Sequence, residues 1–291
     1  MIAGMTYYQI AWYFLLYSFA GWCIEVIFHA AKIGKVINRG FLCGPLCPVY
    51  GFGALAVFAL TKSDLTDRIG MTESWLAEGD NLLSIAVVFI FGVILATIVE
   101  LIAGWLLDVL FHARWWDYSQ EPFNFHGYIC LRFSLLWGAA VVLVVRVIQP
   151  AAEAQYQIQM PEEIGWPILG VLYLIFTLDL IVTVMMVAGF NRKLSELEDL
   201  QEELSSVSDA LSRKLGTDTI KVHQDMEKAR GQAEAARREL EEKINARREE
   251  IAASGSLFGE KRLLKAFPGL KHRDYQERIN ELRHRIKNRE K

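Results

Sequence analysis

Five apolar stretches of about 20 residues or more occupy the first two thirds of the chain, and they strongly limit its possible folds. They lie at about 8–31, 41–61, 82–111, 128–148 and 164–190. A helix of about 20 mostly apolar residues crosses the hydrocarbon core of a bilayer. Inside that core the protein must pair every backbone amide and carbonyl itself, which restricts spans to helices and closed barrels. The pattern predicts an all-α, polytopic membrane helix bundle with about five spans.

Charged residues are concentrated after these stretches. Residues 1–191 contain 8 Lys and Arg with 14 Asp and Glu, whereas residues 192–291 contain 23 and 20. We therefore predict a transmembrane helical domain over 1–191, embedded in the lipid bilayer of a cell membrane, followed by a water-exposed tail. Acidic and basic residues are interleaved and the sequence pI is about 6.1, which argues against a nucleic-acid partner.

The tail is predicted to be helical. Apolar residues repeat at heptad spacing from Leu194 to Leu215, which favours a coiled coil within 192–253 and a homodimer if the seam pairs between chains. After a Ser-Gly-Ser break, a basic amphipathic C-terminal helix is predicted over 257–291. Two arrangements stay open for it, a helical hairpin packed on itself and docking onto anionic lipid or a partner's groove.

Basic residues in the short loops set the expected orientation. Lys32, Lys35 and Arg39 follow the first stretch, Arg114 follows the third, and Arg132 lies near the start of the fourth on the same side. Because cytoplasmic loops are enriched in Lys and Arg, we expect these loops and the tail inside the cell and the N-terminus outside. The N-terminus shows neither a basic region nor a cleavage site, so the first stretch is expected to remain as an anchor.

Polar side chains within the apolar stretches are the first candidates for function, because an unpaired charge at membrane depth costs several kcal/mol. Glu25 lies in the first stretch and Glu100 in the third, and Arg132 is the expected counter-ion for one of them. Asn38 and Arg39 form a polar turn just before the second stretch, which glycines and prolines interrupt. Broken helices at membrane depth usually line a cavity. The alternatives are a merely kinked helix and buried ion pairs with a structural role.

The polar linker WWDYSQEPFNFHGYIC at 115–130 is expected to lie on the same face as Arg39. Asp117, Tyr118 and Asn124 could then hydrogen-bond the Arg39 turn. The predicted polar pathway comprises Glu25, Asn38, Arg39, Glu100, Asp117, Tyr118, Asn124 and Arg132. No cofactor is predicted, and no metal site, because the C-x3-C spacing of Cys43 and Cys47 is not a zinc pattern.

Four segments carry a family resemblance. They are YSFAGWCIEV in the first stretch, NRGFLCGPLCPVYGFGAL from Asn38 to Leu55, IVELIAGWLLDVLF around Glu100, and WWDYSQEPFNFHGYICLRFSLLWG from Trp115 to Gly138. Together they resemble the ABC-transporter type IV (CmpB-like) family of bacterial integral membrane proteins, over about residues 1–190. RLLKAFPGL at Arg262–Leu270 resembles the end of longer members. The resemblance implies a permease-type subunit, energised by a separate ATPase if at all, and it supplies no catalytic residues.

Three functions stay open from the sequence. The first is the permease-type transporter subunit. The second is a membrane enzyme at the cytoplasmic leaflet, with Glu25, Glu100, Asp117 and His126 as acid or base groups and Arg39 holding a phosphate-like head group. The third is a membrane-anchored scaffold or sensor that signals through its coiled coil. The sequence lacks a G-x-x-x-x-G-K-[ST] loop and the common hydrolase motifs, which favours a non-enzymatic chain that does not itself bind ATP.

Overall fold

A computed structural model of the protein describes residues 4–34, 36–62, 66, 70–79, 81–152, 161–217, 223–253 and 259–289. The chain divides into two compact units. The membrane unit contains Met1–Thr183 and Ala266–Lys271, and the tail unit contains Val184–Lys265 and His272–Lys291. Among the described residues both units are almost entirely helical, as predicted from the apolar pattern.

The membrane unit begins with α1 (Tyr7–Ile33), α2 (Pro48–Thr61), α3 (Glu73–Glu78), α4 (Leu82–Phe111) and α5 (Leu131–Leu143). A π-helical turn, Val144–Ile148, continues α5, and α6 (Glu162–Thr217) runs on into the tail unit. Four described helices are long and apolar enough to cross a membrane: Tyr7–Ala31, Leu82–Phe111, Leu131–Ala152 and Glu162–Ser206. They correspond to the first, third, fourth and fifth apolar stretches.

The second apolar stretch, 41–61, is helical only from Pro48 onward. Proline is favoured in the first turn of a helix because its missing amide would be unpaired there. The resulting α2 has 14 residues. At 1.5 Å per residue it is about 21 Å long, shorter than the hydrocarbon core of about 30 Å. Residues 36–47, which we call loop A, are not helical.

Glycines allow α1 and α2 to pack closely as antiparallel neighbours. A Cβ atom added to Gly21 would lie 2.2 Å from the ring of Tyr50, and one added to Gly51 would lie 2.6 Å from the carbonyl oxygen of Phe14. Such distances are far below van der Waals contact, so the helix backbones could not approach this closely with larger residues.

Helices α4 and α5 are also antiparallel. Thr97 donates a hydrogen bond of 2.8 Å to Ser134, and at the other end Arg146 donates one of 2.6 Å to Ser84. Residues 112–130, which we call loop B, connect the two helices. Loop B contains β1 (Ala113–Arg114) and an antiparallel hairpin of β2 (Asn124–Phe125) and β3 (Ile129–Cys130).

Both loops return the chain along its own long helix before the next helix begins. Tyr50 packs opposite Gly21, which is twelve residues before the end of α1, and Ser134 lies opposite Thr97, fourteen residues before the end of α4. Tyr50 comes two residues after the start of α2, and Ser134 comes three residues after the start of α5. After subtracting these residues, each loop runs back roughly 15 Å along its long helix, at 1.5 Å per residue. Helices α2 and α5 therefore begin partway back along the long helix that precedes each of them, and not at the end of that helix.

The tail unit contains the later part of α6 together with α7 (His223–Ala253), α8 (Glu260–Ala266) and α9 (Gln276–Arg289), and β4 (Lys271–His272) lies at its boundary. Its buried apolar residues include Leu194, Leu197, Leu240, Ile244, Leu263, Ile279, Leu282 and Ile286. Arg278 pairs with Glu198 at 2.8 Å, which brings α9 to α6. Three later heptad residues, Val207, Leu211 and Leu215, lie on α6, but their side chains are not among those that the structure describes.

Candidate functional site

Glu25 on α1 is held from two sides. The hydroxyl of Tyr50 on α2 donates a hydrogen bond of 2.7 Å to its Oε1. The guanidinium of Arg39 in loop A lies 4.0 Å from its Oε2 and 3.5 Å from Nδ1 of His29. The broken second stretch thus supplies both partners of the carboxylate, one from the loop and one from the short helix.

Arg132 does not act as the counter-ion that the sequence suggested. It pairs with Glu121 of loop B at 3.4 Å, and its side chain is 72% exposed. The reason is helical periodicity, because residues two apart in a helix point about 200° apart. Ser134 faces α4, so Arg132 points away from the bundle interior.

Glu100 on α4 is 8% exposed and is thus more deeply buried than Glu25, whose side chain is 31% exposed. The hydroxyl of Tyr118 in loop B donates a hydrogen bond of 3.0 Å to its Oε1, and the Trp137 side chain on α5 also interacts with the carboxylate. Oε2 accepts no hydrogen bond of good geometry from the described residues. Burial and the neighbouring Glu100 raise the pKa of the Tyr118 phenol, which therefore stays a donor.

Tyr50 and Trp137 bring these two carboxylates together. Their rings meet edge to face, with centroids 5.6 Å apart. Glu25 and Glu100 are close enough to interact electrostatically. The structure therefore places Glu25, Arg39, Glu100 and Tyr118, four of the predicted residues, in one polar cluster.

Asn38 organises loop A from within. Its carbonyl oxygen accepts hydrogen bonds from Trp22 Nε1 at 2.8 Å and from the amide of Gly40 at 2.9 Å. Its amide group donates to the carbonyl oxygen of Cys43 at 2.6 Å. Asn38 thus shapes the turn that carries Arg39.

Asp179 on α6 is a further polar residue at this site, outside the predicted pathway. Its two oxygens accept backbone hydrogen bonds from Cys43 at 3.0 Å and Gly44 at 2.9 Å, and Thr183 accepts a further one from Cys43 at 3.2 Å. A Cβ atom added to Gly44 would lie 2.8 Å from the carboxylate. The sequence did contain a signal for this contact. A broken span frees backbone amides, and an acidic residue in another span can accept hydrogen bonds from them.

The expectation that Asp117, Tyr118 and Asn124 bind the Arg39 turn is wrong. Tyr118 binds Glu100, Asp117 accepts two bonds of 2.9 Å from Ser119, and Asn124 donates to Glu121 of its own loop at 2.8 Å. Short-range hydrogen bonds within a hairpin need less chain ordering than bonds to a distant loop.

Asp117 has one further partner, because Lys271 of the segment Ala266–Lys271 forms an ion pair with it. Phe267 in the same segment packs edge to face on Trp115, with centroids 6.4 Å apart. Burial acts to raise the pKa of Asp117, but hydrogen bonds from Lys271 and Ser119 outweigh it and the pKa is lowered. This segment continues the RLLKAFPGL stretch noted in the sequence.

A second polar cluster, not predicted from the sequence, lies around Asp108 near the end of α4. Arg114 pairs with Asp108 at 3.0 Å, and the hydroxyl of Tyr128 donates to the same carboxylate at 2.6 Å. The guanidinium also lies over the Tyr128 ring, 4.6 Å from its centroid. Through Arg114 and Tyr128, this cluster holds both ends of loop B against the C-terminal part of α4.

The family described as "Putative ABC-transporter type IV" matches residues 12–184. That range covers more than half of the chain, and it includes all eight predicted pathway residues and Asp179. The chain belongs to this family. With its apolar helices it is a multi-pass membrane protein of a transporter-type family. Comparison with curated proteins and with solved structures gives no match.

The ABC-transporter type IV match ends close to Thr183, where the membrane unit gives way to the tail unit. The family region thus contains loop A, loop B and both carboxylates, whereas Lys271 comes from outside it. A cluster at membrane depth with two carboxylates, one guanidinium and two phenols can bind, orient and exchange cations or protons.

Proposed function

We propose that this member of the ABC-transporter type IV family is a permease-type subunit whose polar pathway passes the cluster around Glu25 and Glu100. One observation carries the proposal: two loops bring polar side chains and the starts of α2 and α5 back alongside the long apolar helices α1 and α4. Transporters commonly build their midplane binding sites from discontinuous helices, because unwound backbone is tolerated only where it lines a cavity.

Orientation forms part of the proposal. Loop A carries Arg39, loop B carries Arg114, and Arg132 lies in the first turn of α5, directly after loop B. Both loops follow the C-terminal ends of their long helices, α1 and α4. Cytoplasmic loops are enriched in such residues, so we place both loops and the tail in the cytoplasm and the N-terminus outside. Entry from the cytoplasm would pass Asn38 and Arg39 before reaching Glu25.

Energy would come from a separate subunit, because the sequence contains no P-loop. Four long spans and one short helix are few for a complete pathway, so we also propose a second copy or another membrane subunit beside this chain. The scaffold alternative has weaker support. Leu194 and Leu197, the first heptad residues, are buried by the chain's own helices, so they are not offered to a partner.

The test is purification of the tagged full-length chain from its native membranes in mild detergent. We expect a stoichiometric P-loop ATPase to co-purify and the complex to hydrolyse ATP. Arg39→Ala and Glu25→Gln should leave the complex assembled and lower its ATP turnover severalfold, because the substrate site that stimulates hydrolysis is damaged.

Glu73→Gln is the matched control, since Glu73 pairs with Lys62 at 2.6 Å and lies on α3, away from the polar cluster. It should leave the turnover unchanged. A chain that purifies alone or only with itself, in membranes where it is stably expressed, would contradict the ATPase-coupled proposal.

A further inference from the structure

The membrane unit contains two copies of one sequence pattern. AGWCIEVIFHA at Ala20–Ala30 and AGWLLDVLFHA at Ala103–Ala113 agree at seven of eleven positions. GFLC at Gly40–Cys43 and GYIC at Gly127–Cys130 follow them. In each copy an aromatic residue and a glycine come seven residues after that cysteine, as Tyr50–Gly51 and Trp137–Gly138.

The two copies also have matching structures. Each consists of a long helix, a loop that runs back roughly 15 Å along that helix at 1.5 Å per residue, and a second helix that begins there. The glycine after the aromatic packs against the long helix of its own copy in both cases. A Cβ atom on Gly51 would lie 2.3 Å from Ser18 Oγ, and one on Gly138 would lie 2.5 Å from Val93.

The two copies meet at the equivalent residues Tyr50 and Trp137, which contact one another. Each ring also serves a carboxylate of its own copy. Tyr50 donates to Glu25, and Trp137 interacts with Glu100. The polar cluster therefore lies where the two copies join, which is where repeat-built transporters place their binding sites.

Charge at this junction is unbalanced. Asp108, which aligns with Glu25 in the repeat, is already paired with Arg114. Glu25 has Arg39 beside it, but Glu100 has no cationic partner among the described residues and its Oε2 lacks a well-formed hydrogen bond. The titratable and charged groups facing the two glutamates are His29, Arg39, Cys47, Tyr50 and Tyr118. Arg39 can offset one of the two carboxylates but not both.

We infer that the membrane unit is a tandem duplication whose two copies share one monovalent-cation site, with Glu25 and Glu100 as its carboxylate ligands. A carboxylate at membrane depth must be neutralised, and a bound cation does this where no arginine is present. The occupant is a proton or an alkali-metal ion. A role for this cation as the transported or coupling ion rests on the proposed function, but its binding does not require transport.

Two measurements on the purified full-length protein distinguish the occupants. A proton on Glu100 gives an infrared carboxylic-acid band near neutral pH that disappears on titration to alkaline pH. An alkali-metal ion gives a saturable rise of Tm with NaCl or KCl, compared with choline chloride at equal ionic strength. Glu100→Gln should abolish whichever signal the wild type shows, whereas Glu73→Gln should keep it.

Trp137→Phe provides a second variant should Glu100→Gln fail to fold. It removes the indole N–H and should shift the band or weaken ion binding severalfold, as Tyr50→Phe should. Trp105→Phe is its control, because Trp105 lies exposed on α4. Neither a band nor a specific ion effect in a folded wild type would overturn the inference. Binding without an ATPase partner would refute only the proposed function, and an active complex without binding would refute only the cation site.

Discussion

Loop A and loop B occupy equivalent places in the two copies of the repeat, but they satisfy their backbone groups in different ways. Loop A has no strand, and the amides of Cys43 and Gly44 donate to Asp179 on another helix. Loop B forms its own hairpin, in which Asn124 and Asp117 bind neighbouring backbone atoms. Free backbone groups at membrane depth need partners, and a loop can find them in another helix or within itself.

Asp179→Leu tests the dependence of loop A on another helix, and we expect the largest effect here. It removes the charged acceptor of two amides, so that Gly44 is left unpaired and Cys43 keeps only Thr183. Hydrogen bonds to charged groups contribute about 1.5–3 kcal/mol each, so the loss should be about 3–5 kcal/mol. Reversible unfolding in mixed micelles measures it. Asp179→Asn keeps one acceptor oxygen and should lose about half as much. Wild-type stability in Asp179→Leu would mean that loop A does not rely on this residue.

Gly51→Ala and Gly138→Ala compare the helix packing of the two copies. The new methyl group at position 51 meets the fixed carbonyl oxygen of Phe14, whereas at position 138 it meets side-chain atoms of Val93 and Phe89. Overpacking costs about 1–3 kcal/mol, so Gly51→Ala should approach the upper figure and Gly138→Ala the lower one.

Gly53→Ala is the control for this packing comparison, since a Cβ atom there meets nothing within 4 Å. It should stabilise α2 by about 0.5–1 kcal/mol, because alanine favours a helix more than glycine does. Equal destabilisation by all three alanines, measured in the same micelles, would show that close approach of the helices is not what the glycines provide.

Arg114→Met tests the cluster around Asp108, where both ends of loop B contact α4. The guanidinium is partly exposed, with a side-chain accessibility of 32%, so the loss should be about 1–2 kcal/mol, less than for a fully buried pair. The hydroxyl of Tyr128 still donates to Asp108 and limits the damage. Arg132→Met, at the exposed pair with Glu121, should change the unfolding free energy by less than about 0.5 kcal/mol. An equal loss in both variants would contradict a special role for Arg114.

Lys271→Met should have the smallest effect, because Lys271 is about half exposed and such pairs contribute about 0–1 kcal/mol. The pKa of Asp117 is lowered in the folded protein. Its stabilisation is therefore present above the unfolded pKa of about 3.9 and is lost as the pH falls through the lower folded value. Comparing wild type with Lys271→Met and Asp117→Asn from neutral pH to about pH 3 checks this. A difference in unfolding free energy between wild type and the variants that grows as the pH falls would contradict this prediction.

Local sequence properties predicted much of the architecture. Apolar length indicated helical spans, and Pro48 with the glycines around it indicated that the second stretch is broken. The sequence singled out Glu25, Arg39, Glu100 and Tyr118 because a charge within an apolar stretch needs a partner, and the structure places these four residues in one cluster. The repeat of AGW-x-x-[ED]-V-x-F-H-A was also visible in the sequence and would have pointed to the junction of the two copies.

The hydrogen-bond and ion-pair partners of the polar residues were less predictable from the sequence. Arg132 was expected to face a buried glutamate and instead faces Glu121, while Arg39 takes that place, because helix rotation and the path of loop A decide which side chain points inward. Asp179 and Lys271 lie more than 130 residues from the groups that they bind. Apolar length and charge act along the chain, so the sequence by itself determined the helices, the charged tail and the family. Ion pairs and hydrogen bonds depend on distances of a few ångströms between remote residues, and only the tertiary structure decided those.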